Sequence, residues 1–188
     1  MKPVALQIIR DEHLAISAVL FALRHAARAI RTQPGSADFT LLHAILDYIV
    51  AYPDRWHHPK EGQFLFAALL GRSAEADRLI ATLEREHVEG YPMIAAMQRL
   101  LDAFEAGAHC EAFCDAAEEY VRFEWTHMRR EEDRLLPLAE QLIPAEEWER
   151  IDAAFLENDN PLHGLRPKDE AEALYRRIID LDPGRRRA

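Results

Sequence analysis

Two histidines are each followed by a glutamate four residues later. These pairs are His57 with Glu61 and His127 with Glu131. A four-residue step turns a side chain by only about 40° around an α-helix, so each pair shares one helix face. Imidazole nitrogens and carboxylate oxygens together suit iron, manganese and zinc. Each pair is therefore a candidate half of a metal site.

Two more histidines precede these pairs at similar distances. His13 lies 44 residues before His57, and His87 lies 40 residues before His127. Both are flanked by apolar residues at helical spacing, which places them on the inner faces of their helices. A lone histidine followed by a His-x-x-x-Glu pair thus occurs twice, and the repeat predicts a pseudo-twofold site.

Four long helices position these residues. Clusters of helix-breaking residues at 33–37, 71–73 and 106–107 divide the chain, and apolar residues between them recur at helical spacing. The predicted helices span residues 4–32, 37–70, 73–106 and 109–142. Because short loops make neighbouring helices antiparallel, we expect an all-α, up-down-up-down four-helix bundle over residues 1–143.

A shorter helical segment is expected after the bundle. The pattern predicts helices near 145–157 and 168–180, with a turn at 158–161 between them. We interpret residues 144–188 as a C-terminal helical extension that packs on the bundle.

The antiparallel arrangement places the four histidines at one level. Counted along their helices, all four positions fall roughly 15–20 Å from the same end of the bundle. A single histidine on an apolar face is usually an ordinary core residue, but four independent core histidines have no reason to align. Buried carboxylates also need a compensating charge, which metal ions supply. The sequence therefore predicts a metal centre inside the bundle.

At these residues the chain resembles the hemerythrin-like family with the HHE cation-binding domain, whose pattern is His, HxxxE, His, HxxxE. The matching segments are Asp11-Glu12-His13, His57-His58-Pro59-Lys60-Glu61, Glu86-His87 and His127-Met128-Arg129-Arg130-Glu131-Glu132. They lie within residues 5 to 140, and a turn at 160–164 extends the resemblance to nearly the whole chain. The resemblance implies a hemerythrin-like bundle with two Fe ions, joined by an oxo or hydroxo bridge.

The resemblance also implies which residues bind the metal. Glu61 and Glu131 would bridge the two irons. The remaining ligands would be His13 and His57 on one iron and His87 and His127 on the other. Manganese and zinc also accept this mixture of imidazole and carboxylate ligands.

One position departs from the oxygen-carrying members of the family. Those proteins place a second histidine one helical turn after the first on the third helix, whereas this chain has Tyr91, four residues after His87. The departure argues against reversible oxygen carriage. Tyr91 is a candidate ligand through its phenolate; the alternatives are that it leaves a position to water or acts by a hydrogen bond from outside the ligand set.

Two local alternatives stay open. His58 competes with His57, but it lies about 100° further round the helix, which favours His57. Glu132 competes with Glu131, because oxygen carriers place this carboxylate five residues after the histidine; the symmetry of the two four-residue pairs favours Glu131. Prolines near the site predict either tolerated kinks or a widened site, and they are Pro53, Pro59, Pro92 and Pro137.

A ferritin-like di-iron site is the rival interpretation. Glu84-x-x-His87 and Glu124-x-x-His127 match the ExxH motif of ferritin-like proteins. That plan needs a lone glutamate on each of the other two helices, and Glu12 lies about 100° away from the apolar stripe. It also leaves three of the predicted ligands without roles, so we expect Glu84 and Glu124 only beside the ligands.

Composition excludes several other classes. The chain has 188 residues, 49% of them apolar, and a net charge of −10, which disfavours nucleic acid and anionic membranes as partners. Two cysteines cannot form a disulfide framework, and no apolar run is long enough to span a membrane. Charged residues appear at Arg10 and Asp11, before any secretory apolar region could form, so we expect a cytoplasmic protein.

The sequence predicts the cofactor more specifically than it predicts the reaction. An open position on the iron held by His13 and His57 would bind dioxygen, peroxide or nitric oxide, and the resemblance implies that some bacterial relatives process such ligands. The sequence does not decide whether the protein is an enzyme. The alternatives are a non-enzymatic module that senses or stores iron or oxygen, and a protein that repairs iron–sulfur clusters. Repair proteins of this family usually carry an extra cysteine-bearing N-terminal domain, whereas this bundle is expected to begin near residue 4.

Overall fold

The computed structural model describes residues 3–156, except for the side chain of Asp54. Within that range, all regular structure is helical. The first helix, α1 (Val4–Thr32), has the predicted bounds, and a short 3₁₀ turn (Pro34–Ser36) follows it. The prediction of an all-α fold is therefore confirmed.

The second helix differs from the single α-helix predicted over 37–70. Asp38 caps its first turn by accepting a hydrogen bond from the N–H of Leu41, and helical structure then continues with two stretches wound as π-helix. Its segments, together called α2, are α-helical Phe39–Ile49, π-helical Val50–His57, α-helical His58–Lys60, π-helical Glu61–Phe66 and α-helical Ala67–Leu69. Pro53 lies inside the first π stretch, where wider winding relieves the clash of its ring with the carbonyl four residues earlier.

Two further long helices complete the bundle. The third, α3 (Ala74–Glu105), starts at the cap residue Ser73 and runs without a break through Pro92. The fourth, α4, consists of α-helical Glu111–Arg130, π-helical Glu131–Leu135 and α-helical Leu136–Leu142. Gly71 and Gly107 precede α3 and α4 with φ of 80° and 102°, a conformation that glycine adopts without strain. These bounds agree within two residues with the predicted helices over 73–106 and 109–142.

Side-chain contacts show that neighbouring helices run antiparallel. Between α2 and α3, His43 meets Glu105 near one end, whereas Glu61 approaches His87 further along. Other antiparallel contacts join His13 to Glu132 and Arg31 to Asp115 between α1 and α4, and His87 to His127 and Glu75 to Arg134 between α3 and α4. The four helices of the bundle therefore bring their predicted ligands to the same height along the bundle axis.

Two apolar clusters fill the bundle, one on each side of a polar layer. One cluster is built around residues such as Leu23, Ile45 and Phe113. The other, toward the opposite end, includes Ile9 and Leu135. The predicted ligands occupy the stretches of the four helices between these clusters, so packed side chains on both sides hold them in place.

A fifth helix, α5 (Ala145–Leu156), covers one side of the bundle. It packs into the second apolar cluster through Trp148, Ile151 and Phe155. Asp152 also accepts a hydrogen bond from the N–H of Ala5 at 2.8 Å. The turn predicted at 158–161 and the helix predicted at 168–180 lie outside the described residues. In the part of the chain that is described, no helix is long and apolar enough to cross a membrane.

Candidate metal centre

Six of the seven predicted ligands come together in the polar layer. Their ligand atoms form two overlapping clusters, and within each cluster all atoms lie within 4.8 Å of one another. The first cluster contains His13, His57, Glu61 and Glu131, and the second contains Glu61, His87, His127 and Glu131. Two clusters that share both carboxylates match the ligand set of two neighbouring cations.

Each shared carboxylate faces both clusters. Oε1 of Glu61 lies 3.4 Å from Nε2 of His57, while its Oε2 lies 3.7 Å from Nε2 of His87. The oxygens of Glu131 lie 3.2 and 3.5 Å from a histidine of the first and of the second cluster. Ligand atoms held about 2.1 Å from one ion at right angles or slightly more lie about 3.0–3.5 Å apart. The separations therefore fit bridging carboxylates.

The carboxylates of Glu61 and Glu131 lack hydrogen-bond partners. Both side chains are fully buried, and none of their four oxygens accepts a hydrogen bond of good geometry. Burial and the neighbouring carboxylate raise the pKa of Glu61 well above its ordinary value. Burial also acts to raise the pKa of Glu131, but His127 and His13 lower it to about 2. Bound cations would compensate a pair that is otherwise costly to bury.

The imidazole nitrogens face one another in pairs. Nε2 of His13 lies 3.1 Å from Nε2 of His57, and the same distance separates the Nε2 atoms of His87 and His127. Nδ1 of His57 donates to the carboxylate of Glu12, so Nε2 of the neutral ring presents a lone pair. Facing lone pairs repel each other unless a proton or a cation lies between them. The residues present therefore fit a metal ion in each cluster.

Carboxylates from neighbouring helices hold three of the rings at Nδ1. The pairs are His13 with Glu132 at 2.8 Å, His57 with Glu12 at 2.8 Å and His127 with Glu86 at 3.0 Å. Metal-binding histidines generally donate their second ring N–H in this way, which fixes the tautomer and the ring orientation. His87 is held differently, by stacking between His58 and Phe66. The sequence analysis missed Glu12 and Glu86, although each directly precedes a lone histidine.

In the metal-free centre, a proton takes the place of a cation. Burial lowers the pKa of His13, but the neighbouring carboxylates of Glu131 and Glu132 raise it to about 10. Burial and the neighbouring His127 lower the pKa of His87 to about 3. The carboxylates around His13 therefore favour its protonated form, and a cation that binds through this imidazole competes with a proton.

Both shared glutamates begin a π-helical stretch. These stretches are Glu61–Phe66 in α2 and Glu131–Leu135 in α4. In α4, the N–H of Leu136 bonds to the carbonyl of Glu131, five residues back. Such wide turns occur frequently at functional sites because they displace side chains from regular helical positions. The distortion is repeated at equivalent positions, which extends the internal duplication from sequence to backbone.

His58 also faces the centre, so His57 and His58 are not exclusive alternatives. It is buried, and its ligand atom lies within 4.8 Å of those of His87 and His127. Its ring stacks on His87 with 4.0 Å between the ring centroids. The residues before His58 are wound as π-helix, in which successive side chains are separated by less than the 100° of an α-helix. Both histidines can therefore face inward, toward different clusters.

Glu131 rather than Glu132 belongs to both clusters. The side chain of Glu132 is 40% exposed, and its carboxylate binds Nδ1 of His13 from outside. Tyr91 is 47% exposed, unlike the other six predicted ligands, and lies one helical turn after His87. Metal binding by Tyr91 stays a prediction.

The ferritin-like interpretation is wrong for this fold. Glu84, which that plan requires as a ligand, is exposed to solvent. Glu124 is buried, and burial raises its pKa, but it lies outside both clusters. Its Oε1 lies 3.8 Å from the position that a Cβ on Gly90 would occupy, which is an ordinary van der Waals separation.

Two other histidines and both cysteines lie away from the centre. His25 is exposed and stacks on Phe21, and His43 pairs with Glu105 near the surface. Cys110 and Cys114 are free thiols buried in the first apolar cluster. Burial raises the pKa of Cys114 to about 11, which keeps the thiol protonated and unreactive.

Comparison with known proteins agrees with this geometry. The model of the hemerythrin HHE cation binding domain matches residues 4–139. Neither the curated proteins nor the solved structures give a significant match to the chain. The matched region contains every residue of the two clusters and extends from α1 nearly to the end of α4. The chain therefore belongs to the hemerythrin family of HHE cation-binding domains, and its two clusters form a candidate site for metal cations.

Proposed function

We propose that the protein binds two iron ions at the two clusters and that the ion of the first cluster receives dioxygen, peroxide or nitric oxide. The unequal number of nearby histidines supports this proposal. Each cluster offers four ligand atoms, but only the second has a further histidine beside it, since the ligand atom of His58 lies within 4.8 Å of those of His87 and His127. Because an octahedral ion takes six ligands, the first ion keeps more positions open for an external ligand.

Burial supports a small ligand. His13, His57, Glu61 and Glu131 are at most 2% exposed, and apolar clusters lie on both sides of the polar layer. A bulky organic substrate would have to displace packed side chains to reach the first cluster, which is costly in a close-packed interior. Diatomic molecules and peroxide are small enough to enter through ordinary fluctuations of the bundle.

The iron pair would supply Lewis acidity and one-electron redox steps when bound. The side chains perform the supporting work. Glu61 and Glu131 would hold both ions, and Glu132 orients the ring of His13. The two apolar clusters exclude bulk water, which strengthens electrostatic interactions in the polar layer.

Iron content tests the binding part of the proposal. The wild-type chain should bind about two irons at saturation, and Glu61→Ala and Glu131→Ala should each remove a shared ligand and lower iron content strongly. His25→Ala is the matched control, because this histidine lies on the outer surface. A single tightly bound ion in the wild type, or equal iron content in all variants, would reject the two-ion site.

Reaction assays test the ligand part. Iron-loaded protein is mixed separately with peroxide, nitric oxide and dioxygen, and turnover and spectra are recorded. Turnover of peroxide or nitric oxide would identify an enzyme. A stable, reversible dioxygen adduct would identify a carrier, and no change with any of the three ligands would contradict this part of the proposal.

A metal-sensing or metal-holding module is the second candidate. The unpartnered oxygens of Glu61 and Glu131 favour it, because they make the stability of the bundle depend on bound cations. In that case, iron should stabilise the protein strongly while the three reaction assays show no turnover.

A further inference from the structure

In the first half of the centre, a histidine is hydrogen-bonded to a carboxylate, which in turn is hydrogen-bonded to a positively charged side chain. Nδ1 of His57 donates to Oε2 of Glu12 at 2.8 Å, and Nζ of Lys60 donates to Oε1 of the same carboxylate at 2.8 Å. We call these three residues the Glu12 triad. The two oxygens of Glu12 thus join a metal ligand to a buried ammonium group.

The second half builds the same chain of contacts. Nδ1 of His127 donates to Oε2 of Glu86 at 3.0 Å, and the guanidinium of Arg130 donates to the other oxygen. We call these residues the Glu86 triad. In both triads, the carboxylate directly precedes a lone histidine on one helix, and the cation follows the ligand histidine by three residues on the next helix.

Helix geometry explains this spacing. A one-residue step turns a side chain by about 100°, so a glutamate beside an inward histidine points toward the neighbouring helix. A three-residue step returns to within about 60° of the starting direction, so the cation lies beside its histidine. The pattern occurs at residues 12–13 with 57–61 and again at 86–87 with 127–131. Two separate helix pairs therefore produce the same contacts, which ties the triads to the metal centre.

The triads differ in their exposure to solvent. The side chain of Lys60 is 7% exposed, whereas that of Arg130 is 28% exposed. The ammonium of Lys60 also lies 5.0 Å from the centre of the Phe155 ring on α5. Charges in drier surroundings are less screened, so equal charges act more strongly on His57 than on His127.

We propose that Glu12 and Glu86 are positioning residues that set how strongly His57 and His127 donate to the bound cations. Lys60 and Arg130 limit that donation, and the drier Glu12 triad has the stronger effect. This inference rests on the proposed function, since the triads act through bound cations. A carboxylate that accepts Nδ1–H makes Nε2 a stronger donor and stabilises the higher oxidation state, whereas a cation beside the carboxylate has the opposite effect.

The reduction potential of the iron-loaded full chain tests the direction in which each charged side chain shifts the potential of the bound iron. Glu12→Gln keeps the shape and removes the negative charge, so the potential should rise. Lys60→Met removes the positive charge, so the potential should fall, and Lys60→Arg should restore the wild-type value. Damage to the fold would not give shifts of opposite sign. Shifts in the same direction, or no shift in either variant with both irons retained, would overturn the inference.

Zinc affinity tests, without redox chemistry, whether the Glu12 triad has a stronger effect than the Glu86 triad. Glu12→Gln should weaken zinc binding by about 10- to 100-fold, and Glu86→Gln should weaken it less. Asp11→Asn is the matched control, because it removes the same charge from the exposed neighbouring residue and should leave affinity unchanged. Equal losses in the two Gln variants, or an equal loss in Asp11→Asn, would overturn the inference.

Iron content distinguishes a failure of the proposed function from a failure of the inference about the triads. Fewer than two irons in the saturated wild type would overturn the proposed function and this inference together. Two irons with potentials that do not respond to the triads would overturn this inference alone. If Glu12→Gln does not fold, Glu86→Gln in the wetter triad decides: a rise in potential above the wild-type value supports the inference, and an unchanged potential contradicts it.

Discussion

The two halves of the centre share one local sequence pattern but have different surroundings. On α1 and α2, His13 and His57 lie beside the buried Lys60, which α5 covers. On α3 and α4, His87 and His127 lie beside the partly exposed Arg130. The repeated pattern sets the ligand types and their spacing, whereas packing around each half sets its dielectric environment.

The halves also differ in how many ligands they offer. The π-helical stretch before His58 turns this extra histidine of α2 toward the second cluster. The second cluster thus has an additional histidine beside it, whereas the equivalent position in the second motif is Met128. The two halves differ both in single residues of the repeated motif and in the packing around it.

The largest expected effect comes from ligand removal in the first cluster. His57→Ala should lower iron content from about two to about one per chain, because two of the four ligand atoms there are histidine nitrogens. His127→Ala should retain more iron, because His87 remains in the second cluster and His58 lies beside it. Iron per chain, measured at equal free iron, checks this. Equal losses would remove the inferred difference in ligand number.

Metal removal should lower the stability of the whole bundle. At a free iron concentration a thousandfold above Kd, each bound ion stabilises the fold by about 4 kcal/mol, so two ions raise the midpoint by roughly 20 °C for a chain of this size. Calorimetry with and without chelator measures the shift, and His57→Ala should show a smaller one. An unchanged midpoint after complete chelation would show that the centre does not depend on metal for stability.

Lys60 and Arg130 should contribute unequally to the stability of the metal-free protein. Lys60→Met leaves the carboxylate of Glu12 buried without its cation and should cost about 3 kcal/mol. Arg130→Met should cost about 1 kcal/mol, because its ion pair is partly solvated. Urea unfolding measures both, with the exposed Arg129→Met as control. Equal costs would contradict the burial difference.

The Glu12 carboxylate should make stability depend on pH in acid. Burial acts to raise the pKa of Glu12, but His57 and Lys60 lower it by more, so the pKa falls from 4.5 to about 2. A lowered folded-state pKa gives stability that is present above about pH 4.5 and is lost as the pH falls toward 2. The free energy of unfolding of the metal-free wild type should therefore approach that of Glu12→Gln between pH 5 and pH 3, by about 1.4 kcal/mol per pH unit at most. A constant difference across this range would contradict the pKa shift.

Tyr91 should give the smallest effect, a change in spectrum with little change in stability. If its phenolate binds iron, the ferric protein has a visible charge-transfer band that Tyr91→Phe removes while both irons remain. An unchanged spectrum would place Tyr91 outside the ligand set. A reversible dioxygen adduct in the wild type would contradict the argument that this position departs from oxygen carriers.

Much of the fold could be predicted because its signals are local. The breaker clusters and helical spacing located α1 and α3 within two residues, and the count along antiparallel helices placed six ligands at one level. The failures have a common physical cause. Glu12, Glu86 and His58 were not assigned because a regular α-helix of 100° per residue points them away from the centre.

The sequence by itself determined the ligand types, their four-residue spacing and their twofold repeat, because these depend only on helix periodicity. Tertiary structure decided the rest. The π stretches in α2 directed both His57 and His58 inward, and the neighbouring helices supplied the Glu12 and Glu86 carboxylates. The position of α5 made Lys60 drier than Arg130. Such differences arise from which surfaces pack together, and helix periodicity carries no information about that.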